Sequence, residues 1–314
     1  MYDKVKIWLP NYSIVGEKFP TIANYLDNGK EITDIKTGEI KTTGNKENLK
    51  IYESKRGVTI IGSLPKYLNG DNIGTLDIHS TKSAIEKMSD ALHIDVNQAK
   101  VTEFEFGKNF FVKYPVQDYL SRMGEMPYLC KYHFNPSTLY YQGNGKAKSK
   151  RFVFYDKLAD AKAKGMTFPA MNGFNLLRYE MRLCGAIHRQ LRVPLVYAKT
   201  LYEREFYRIA VKRYQESYFS ISKKQQLKIN YMNEIKTVND ACDVMMSLLL
   251  NNADPELIEQ YIAELKRCKV FKNRNYYCRL KRKIKDIKEK ANFAQADELI
   301  KELDNDIRNV SAYV

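Results

Sequence analysis

A chain of 314 residues with 44% hydrophobic side chains holds enough apolar sequence for a sizeable core, expected in two domains. Its 52 Lys and Arg against 37 Asp and Glu leave a formal charge of +15, which favours a polyanionic partner. The 23 tyrosines and 14 phenylalanines among those cations favour nucleic acid over an anionic membrane, because rings stack on unpaired bases.

Other features narrow the chemistry. No apolar run approaches the ~18–20 residues of a membrane-spanning helix, and the first residues read as a strand without a secretory apolar stretch. The five cysteines are scattered, with no C-x-x-C pair, which argues against a disulfide framework and a zinc site and for reduced intracellular thiols. Four histidines without an H-x-H pair leave carboxylates as the ligands for any metal.

In chain order, 4–9, 47–54 and 57–63 read as strands of an antiparallel meander, with turns at Gly44-Asn45 and Lys55-Arg56-Gly57. Residues 62–72 read as a loop, too irregular for a Walker loop or a dinucleotide fingerprint. Ser80 or Thr81 is expected to cap a helix over 81–93, and His79 before it reads as a turn or capping residue. A strand at 101–106, a short helix near 116–123 and a strand at 138–141 follow. The segment 142–148, with Lys146 and Lys148, suits a hairpin lying against a DNA phosphate, or equally a solvated turn. A strand at 151–157, a helix at 157–164 and a strand at 176–183 complete a first domain over 1–195, of α+β type with an antiparallel sheet.

Three of these strands alternate strictly. Glu103 and Glu105 share one face of 101–106, and Phe104 and Phe106 the other. On 151–157, Arg151, Tyr155 and Lys157 oppose Phe152 and Phe154. On 177–183, Arg178, Glu180 and Arg182 oppose Leu177, Tyr179, Met181 and Leu183. Placed in one sheet over a common core, their ionic faces gather carboxylates suited to Mg²⁺ or Mn²⁺ around a phenol flanked by cations. The plainer reading is three amphipathic strands whose outer charges pair in solvent.

Beyond Val193-Pro194 the pattern is helical only, giving a second domain over 196–314. Leu201, Phe206, Ile209, Ala210 and Tyr214 form one buried stripe, and Val244, Met245 and Leu248 mark another helix. Asp254-Pro255 starts a helix carrying Leu257, Ile258, Tyr261, Ile262 and Leu265. Residues 266–290 hold twelve Lys or Arg against Asp286 and Glu289, a net +10, and are expected to contact the DNA backbone through Lys281, Arg282, Lys283 and Lys285. The last helix is expected to carry Ile284, Ile287, Ala291, Ile300, Leu303 and Ile307.

The set Leu64-Pro65-Lys66, Gly70-Asp71-Asn72-Ile73, the acidic strand, Tyr155-Asp156-Lys157 and Leu177-Arg178-Tyr179-Glu180-Met181-Arg182 resembles the gene II/X replication proteins of filamentous phages and the related Rep proteins of rolling-circle plasmids. The resemblance covers roughly residues 1–195. It implies an HUH/RRM-like antiparallel-sheet endonuclease domain, here followed by an all-helical basic domain, in a lineage where carboxylates replace the histidine pair. It implies Tyr155 as nucleophile with Lys157 beside it; Arg151, on the same face of that strand, is expected to orient the phosphate. Glu105 and Glu180 would be metal ligands, with Glu103 a third candidate. Where the family carries Arg-x-Asp, this chain has Glu103-Phe104-Glu105, which leaves the choice between the two glutamates open. The implied activity is rolling-circle initiation, by single-strand nicking and rejoining through a 5′-phosphotyrosyl intermediate with Mg²⁺ or Mn²⁺. Origin DNA and a host helicase would be partners, in the cytoplasm of a bacterial host. A non-catalytic DNA-binding regulator is the rival, and a relaxase or transposase of the same nuclease fold the nearer alternative.

Overall fold

Strict two-residue alternation over long stretches, with aromatic and β-branched side chains on one face, builds one large sheet whose apolar side must be covered. In the computed structural model, residues 1–10, 22–143, 149–224, 236–252, 255–273, 275–290 and 298–310 are described. Ten strands pair in the order β2-β3-β4-β5-β1-β6-β10-β9-β8-β7, every neighbour antiparallel. They are β1 (Tyr2–Pro10), β2 (Lys30–Thr33), β3 (Ile40–Lys46), β4 (Leu49–Ser54), β5 (Gly57–Ser63), β6 (Lys100–Val112), β7 (Cys130–Asn135), β8 (Thr138–Gln142), β9 (Lys150–Asp156) and β10 (Asn175–Cys184). The class is α+β, as expected, and the three ionic strands β6, β10 and β9 lie side by side.

Helices α1 (Leu64–Asn69), α2 (Ile78–Leu92), α3 (Val116–Arg122), α4 (Lys157–Ala163), α5 (Ile187–Leu191) and α6 (Arg204–Phe219) accompany the sheet. The apolar face packs on α6 through rings. Phe104 meets Phe206, Phe106 meets Tyr207 and Tyr214, and Tyr179 stacks between Phe154 and Tyr214. Tyr179 and Tyr214 also donate to each other's carbonyl oxygens, so both buried hydroxyls are satisfied.

Local chemistry moved several expected boundaries. The segment 62–72 holds a helix, α1, capped by the Ser63 side chain, primed by Pro65 and stopped by Gly70 at φ +87°. Gly44 and Asn45 lie within β3, and the turn comes after them; a Cβ on Gly44 would stand 2.8 Å from Leu26, so glycine there serves close packing. The cap of α2 is Asp77, in a reciprocal box with Ser80, and His79 sits exposed in the first turn. Strand β7 had no counterpart in the sequence reading.

The chain forms two units, Met1–Lys224 with Glu302–Val314, and Gln225–Lys301. Helix α6, assigned from the sequence to 196–314, packs in the first unit, as does the end of α10 (Glu298–Arg308). There the Tyr119 hydroxyl donates to Glu302, Tyr218 donates to Asp304 at 2.7 Å, and Leu303 and Ile307 are fully buried. The second unit contains α7 (Val238–Asn252), α8 (Pro255–Arg267) and α9 (Asn275–Lys290), with Ile262, Tyr277 and Ile287 buried. The single last helix of the sequence reading is thus two helices, α9 and α10; Ala291 and Asp254 lie outside the described residues. Among the described residues no helix is long and apolar enough to cross a membrane.

Candidate active site

The register of the three central strands fixes which ionic side chains meet. Glu105 lies opposite Arg182, and Arg178 opposite Tyr155. Glu180 lies opposite Gly107, where a Cβ would come within 2.9 Å of the Glu180 side chain, so glycine lets that carboxylate lie over β6. Tyr155 Oη donates to Glu180 Oε1 at 2.8 Å, and Arg178 Nε donates to the same oxygen at 2.6 Å. Arg182 donates to Glu180 Oε2 from Nη2 at 2.6 Å and from Nε at 3.1 Å. Arg178 and Glu180 are only 1% and 2% exposed.

A third carboxylate comes from β1. By strict alternation from Val5, Ile7 and Leu9, Asp3 belongs on the apolar side. The register against β6 slips between Tyr2 and Val5, both of which face the core, and this bulge turns Asp3 to the ionic face. Arg178 Nη2 and the Ser63 hydroxyl both donate to Asp3, and Asn72 Nδ2 donates to it at 3.0 Å. Asn72 also accepts from Lys157 Nζ at 2.8 Å. Lys157 opens α4, whose first turn Asp156 caps, so strand end and helix start together place the ammonium beside the phenol's strand. Asp3, Glu105, Tyr155, Lys157 and Glu180 line one cleft of about 380 Å³.

The electrostatics set each group's proton affinity. Burial favours the neutral form of Glu180, but Arg178 and Arg182 outweigh it and hold the carboxyl down at about 2. Burial raises Glu105 to about 7, Arg182 opposes that rise, and the charges of Glu180 and Asp3 add to it. Burial also pushes the Tyr155 phenol well above its ordinary value, with Glu180's charge adding and Arg178's opposing. Burial and Arg178 lower Lys157 to about 8. The phenol is therefore neutral, with its proton in the bond to Glu180.

Asp3, Glu105 and Glu180 each offer one carboxylate oxygen within 4.8 Å of the others. Hard oxygen donors this close fit Mg²⁺ or Mn²⁺. Burial is the main cause of the raised proton affinity of Glu105, and the smaller part that comes from the charges of Glu180 and Asp3 is one a bound cation would relieve.

The structure thus gathers Tyr155, Lys157, Glu105 and Glu180, and leaves two of the expected residues apart. Arg151 sits four residues from Tyr155 on β9, over the Tyr140 ring. It lines a neighbouring cavity of about 210 Å³ with Glu103 and Cys184. Glu103 pairs with Lys6 at 3.2 Å and is not in the carboxylate cluster. Lys146 and Lys148 lie outside the described residues, and Lys281, Arg282, Lys283 and Lys285 are exposed on α9 of the second unit. Asp3, Ser63, Asn72 and the bridging role of Arg178 escaped the sequence reading. Of the neighbouring tyrosines, Tyr141 is buried and donates to the Gly124 carbonyl at 2.8 Å.

Residues 1–206, which contain every group of this cleft, match the family model for the N-terminal region of the replication-associated gene II protein. The chain belongs to the replication-associated gene II protein family. No curated protein matches this family member. Among solved structures it is similar to the rolling circle replication initiator protein from Geobacillus stearothermophilus, at 10% identity and a TM-score of 0.40, over 75% of this chain and 90% of that one. It is also similar to the di-domain ARO/CYC protein BexL of the BE-7585A biosynthetic pathway, at 12% identity and a TM-score of 0.18, over 60% and 76% of the two chains.

Proposed function

We propose that this family member is a rolling-circle replication initiator that nicks one strand of origin DNA through Tyr155 and later rejoins it. The observation that carries the reading is the 2.8 Å bond from the Tyr155 phenol to Glu180, inside a cleft that also holds Asp3, Glu105 and Lys157. A phenol aimed at a carboxylate cluster, with a lysine of lowered proton affinity in the same cleft, suits attack on a phosphodiester. Mg²⁺ or Mn²⁺ held by Asp3, Glu105 and Glu180 would supply Lewis-acid withdrawal of charge from the phosphoryl oxygens.

The chain's own residues account for the proton and bond changes. Tyr155 Oη forms a bond to the scissile phosphorus as the bond from phosphorus to the 3′ oxygen breaks. The phenol proton leaves along its hydrogen bond to Glu180 Oε1 and passes to solvent in the cleft; Glu180, held at about 2 by Arg178 and Arg182, orients the phenol and does not keep the proton. Lys157, with its proton affinity lowered to about 8, gives a proton to the departing 3′ oxygen. The products are a 5′-phosphotyrosyl chain and a free 3′-hydroxyl that can prime synthesis. Because the new ester keeps the energy of the old one, the reverse reaction rejoins a strand without ATP.

Oligonucleotides tiling the replicon that encodes the chain, incubated with Mn²⁺, should yield a covalent adduct whose modified peptide contains Tyr155. Tyr155→Phe should form no adduct, a loss of at least about a thousandfold, while binding DNA as the wild type does. An adduct that persists in Tyr155→Phe sinks the assignment. Binding without any adduct in the wild type would favour the rival reading, a DNA-binding regulator.

A further inference from the structure

The sheet continues past Tyr155 to an edge, and that edge carries rings. Strand β7 pairs with β8 alone. His133 lies opposite Leu139 and Asn135 opposite Thr138, so Phe134 is an extra residue in a β-bulge. Bulges re-aim side chains, and this one presents a phenylalanine that is 76% exposed. Phe134 lines a cavity of about 430 Å³ whose other walls include Tyr140, Val153, Tyr155, Lys164 and Arg182. Tyr140 and Tyr132 lie directly across the β7–β8 pair with rings parallel, centroids 5.1 Å apart and planes at 9°. The Arg151 guanidinium stands 5.9 Å from the Tyr140 ring centre.

We propose that Phe134 and Tyr140 form a stacking site for an unpaired DNA base beside the phosphate that Tyr155 attacks. The inference rests on the reading of Tyr155 as nucleophile and adds a second component, recognition of a base as a flat apolar surface. Three features point to a single strand as the occupant. The cavity adjoins Tyr155, so the nucleotide next to the attacked phosphate reaches it. Its aromatic walls are an exposed Phe134 and a half-buried Tyr140 backed by Tyr132, which suits the face of a base and wastes the outer edge of a paired one. Arg182, Arg151 and Lys164 flank those walls with the charge a phosphate backbone requires, and Lys164 is itself steadied by Asp160 at 2.7 Å. Arg151, apart from the carboxylate cluster, finds its use here in holding the Tyr140 ring.

The test compares two probes by fluorescence polarisation: an oligothymidylate of about twenty nucleotides and an abasic strand of the same length, with the same phosphates and no bases. Phe134→Ala should weaken oligothymidylate binding about tenfold and leave the abasic strand within about twofold, and Tyr140→Ala should do the same. Phe134→Trp should restore the affinity, because its ring also stacks. Phe134 is exposed, so its variants test contact rather than folding. Loss of both probes to the same degree would mean that the site reads phosphate, and loss of neither would mean that the ring is idle; either result overturns the stacking site. Failure of the nicking reading is separate: a wild type that prefers bases through Phe134 but forms no tyrosyl adduct defeats that reading alone. Adduct formation with an unchanged base preference in Phe134→Ala defeats the stacking site alone.

Discussion

The molecule carries charge in two ways. In the cleft, Arg178 and Glu180 are buried, and each is bonded to named partners: Asp3, Asn109 and Glu180 for the arginine, and Tyr155, Arg178 and Arg182 for the glutamate. On α9, Lys281, Arg282, Lys283 and Lys285 are exposed. In sequence the two sets look alike, as charges at regular spacing. Physically they differ, because burying a charge costs several kcal/mol, which only specific partners offset, whereas a solvated charge costs nothing and is screened by salt. The cleft should therefore fail when one member is removed, and α9 should lose function by degrees.

Tyr155→Phe gives the largest effect, on chemistry alone. Arg178→Met gives the largest effect on the fold. It strands Asp3 and Glu180 without their shared cation and should cost about 3–5 kcal/mol, read from urea denaturation midpoints. A cost below about 1 kcal/mol would mean that the network relaxes like a surface pair and would remove the contrast with α9.

Two carboxyls of one cluster should tilt stability in opposite directions with pH. Glu105 titrates near 7 in the folded chain against an ordinary 4.5. Between those values the folded state keeps a proton that the unfolded chain releases, so stability falls as pH rises from about 4.5 to about 7. Glu180, held at about 2, contributes stability that is present above about 4.5 and lost as pH falls toward 2. The metal-free protein should melt highest between these limbs, and Glu105→Gln should flatten only the alkaline one. Added Mn²⁺ should raise the melting temperature more at pH 8 than at pH 5, since only at the higher pH is Glu105 ready to bind it. Equal shifts at both pH values, or shifts unchanged in Glu105→Gln, would remove that carboxylate from the site.

What the sequence disclosed follows from how local each signal is. The ionic faces of β6, β9 and β10 were legible because period two holds without a slip between Phe104 and Val112, Lys150 and Asp156, and Leu177 and Cys184. Asp3 was not, because one bulge against β6 reverses its face and nothing in Tyr2-Asp3-Lys4-Val5 announces a bulge. Ser63 and Asn72 were hidden by reading α1 as a loop, although Ser63, Pro65 and Gly70 are a cap, a first-turn proline and a stop. Arg151 shares a face with Tyr155, but four residues of strand span about 13 Å, more than its side chain bridges. The bridge from Arg178 to Asp3 joins residues far apart in the chain, and no local pattern carries that.

The effect on α9 should be smaller than any in the cleft. Each phosphate contact contributes about −0.9 to the slope of log K against log salt. Of the four cations, Lys281 is paired with Glu259 at 2.8 Å, and Lys283 lines an apolar groove with Leu280 and Ile284. Changing all four to glutamine should flatten the slope for duplex binding by about two units rather than four. Nicking of a pre-melted single strand should not change. An unaltered slope would make α9 a solvated face.

The smallest effect is expected where the two kinds of charge meet. Glu103 shares a face of β6 with Glu105 but sits one pleat further along, about 6.6 Å away. Its side chain is 42% exposed and pairs with Lys6, itself 37% exposed, a surface bridge worth about 0–1 kcal/mol. Glu103→Gln should change stability by about 0.5 kcal/mol or less and leave adduct formation within about twofold. Its charge should be felt instead at Cys184, whose Sγ lies 3.8 Å from Glu103 Oε2. Burial, then the Glu103 charge, raise that thiol's proton affinity. Removing the charge should move the pH profile of Cys184 alkylation toward lower pH while nicking stays as it was. The opposite pair of results, an unmoved thiol with abolished nicking, would carry Glu103 into the carboxylate cluster and dissolve the boundary between the buried charges and the solvated ones.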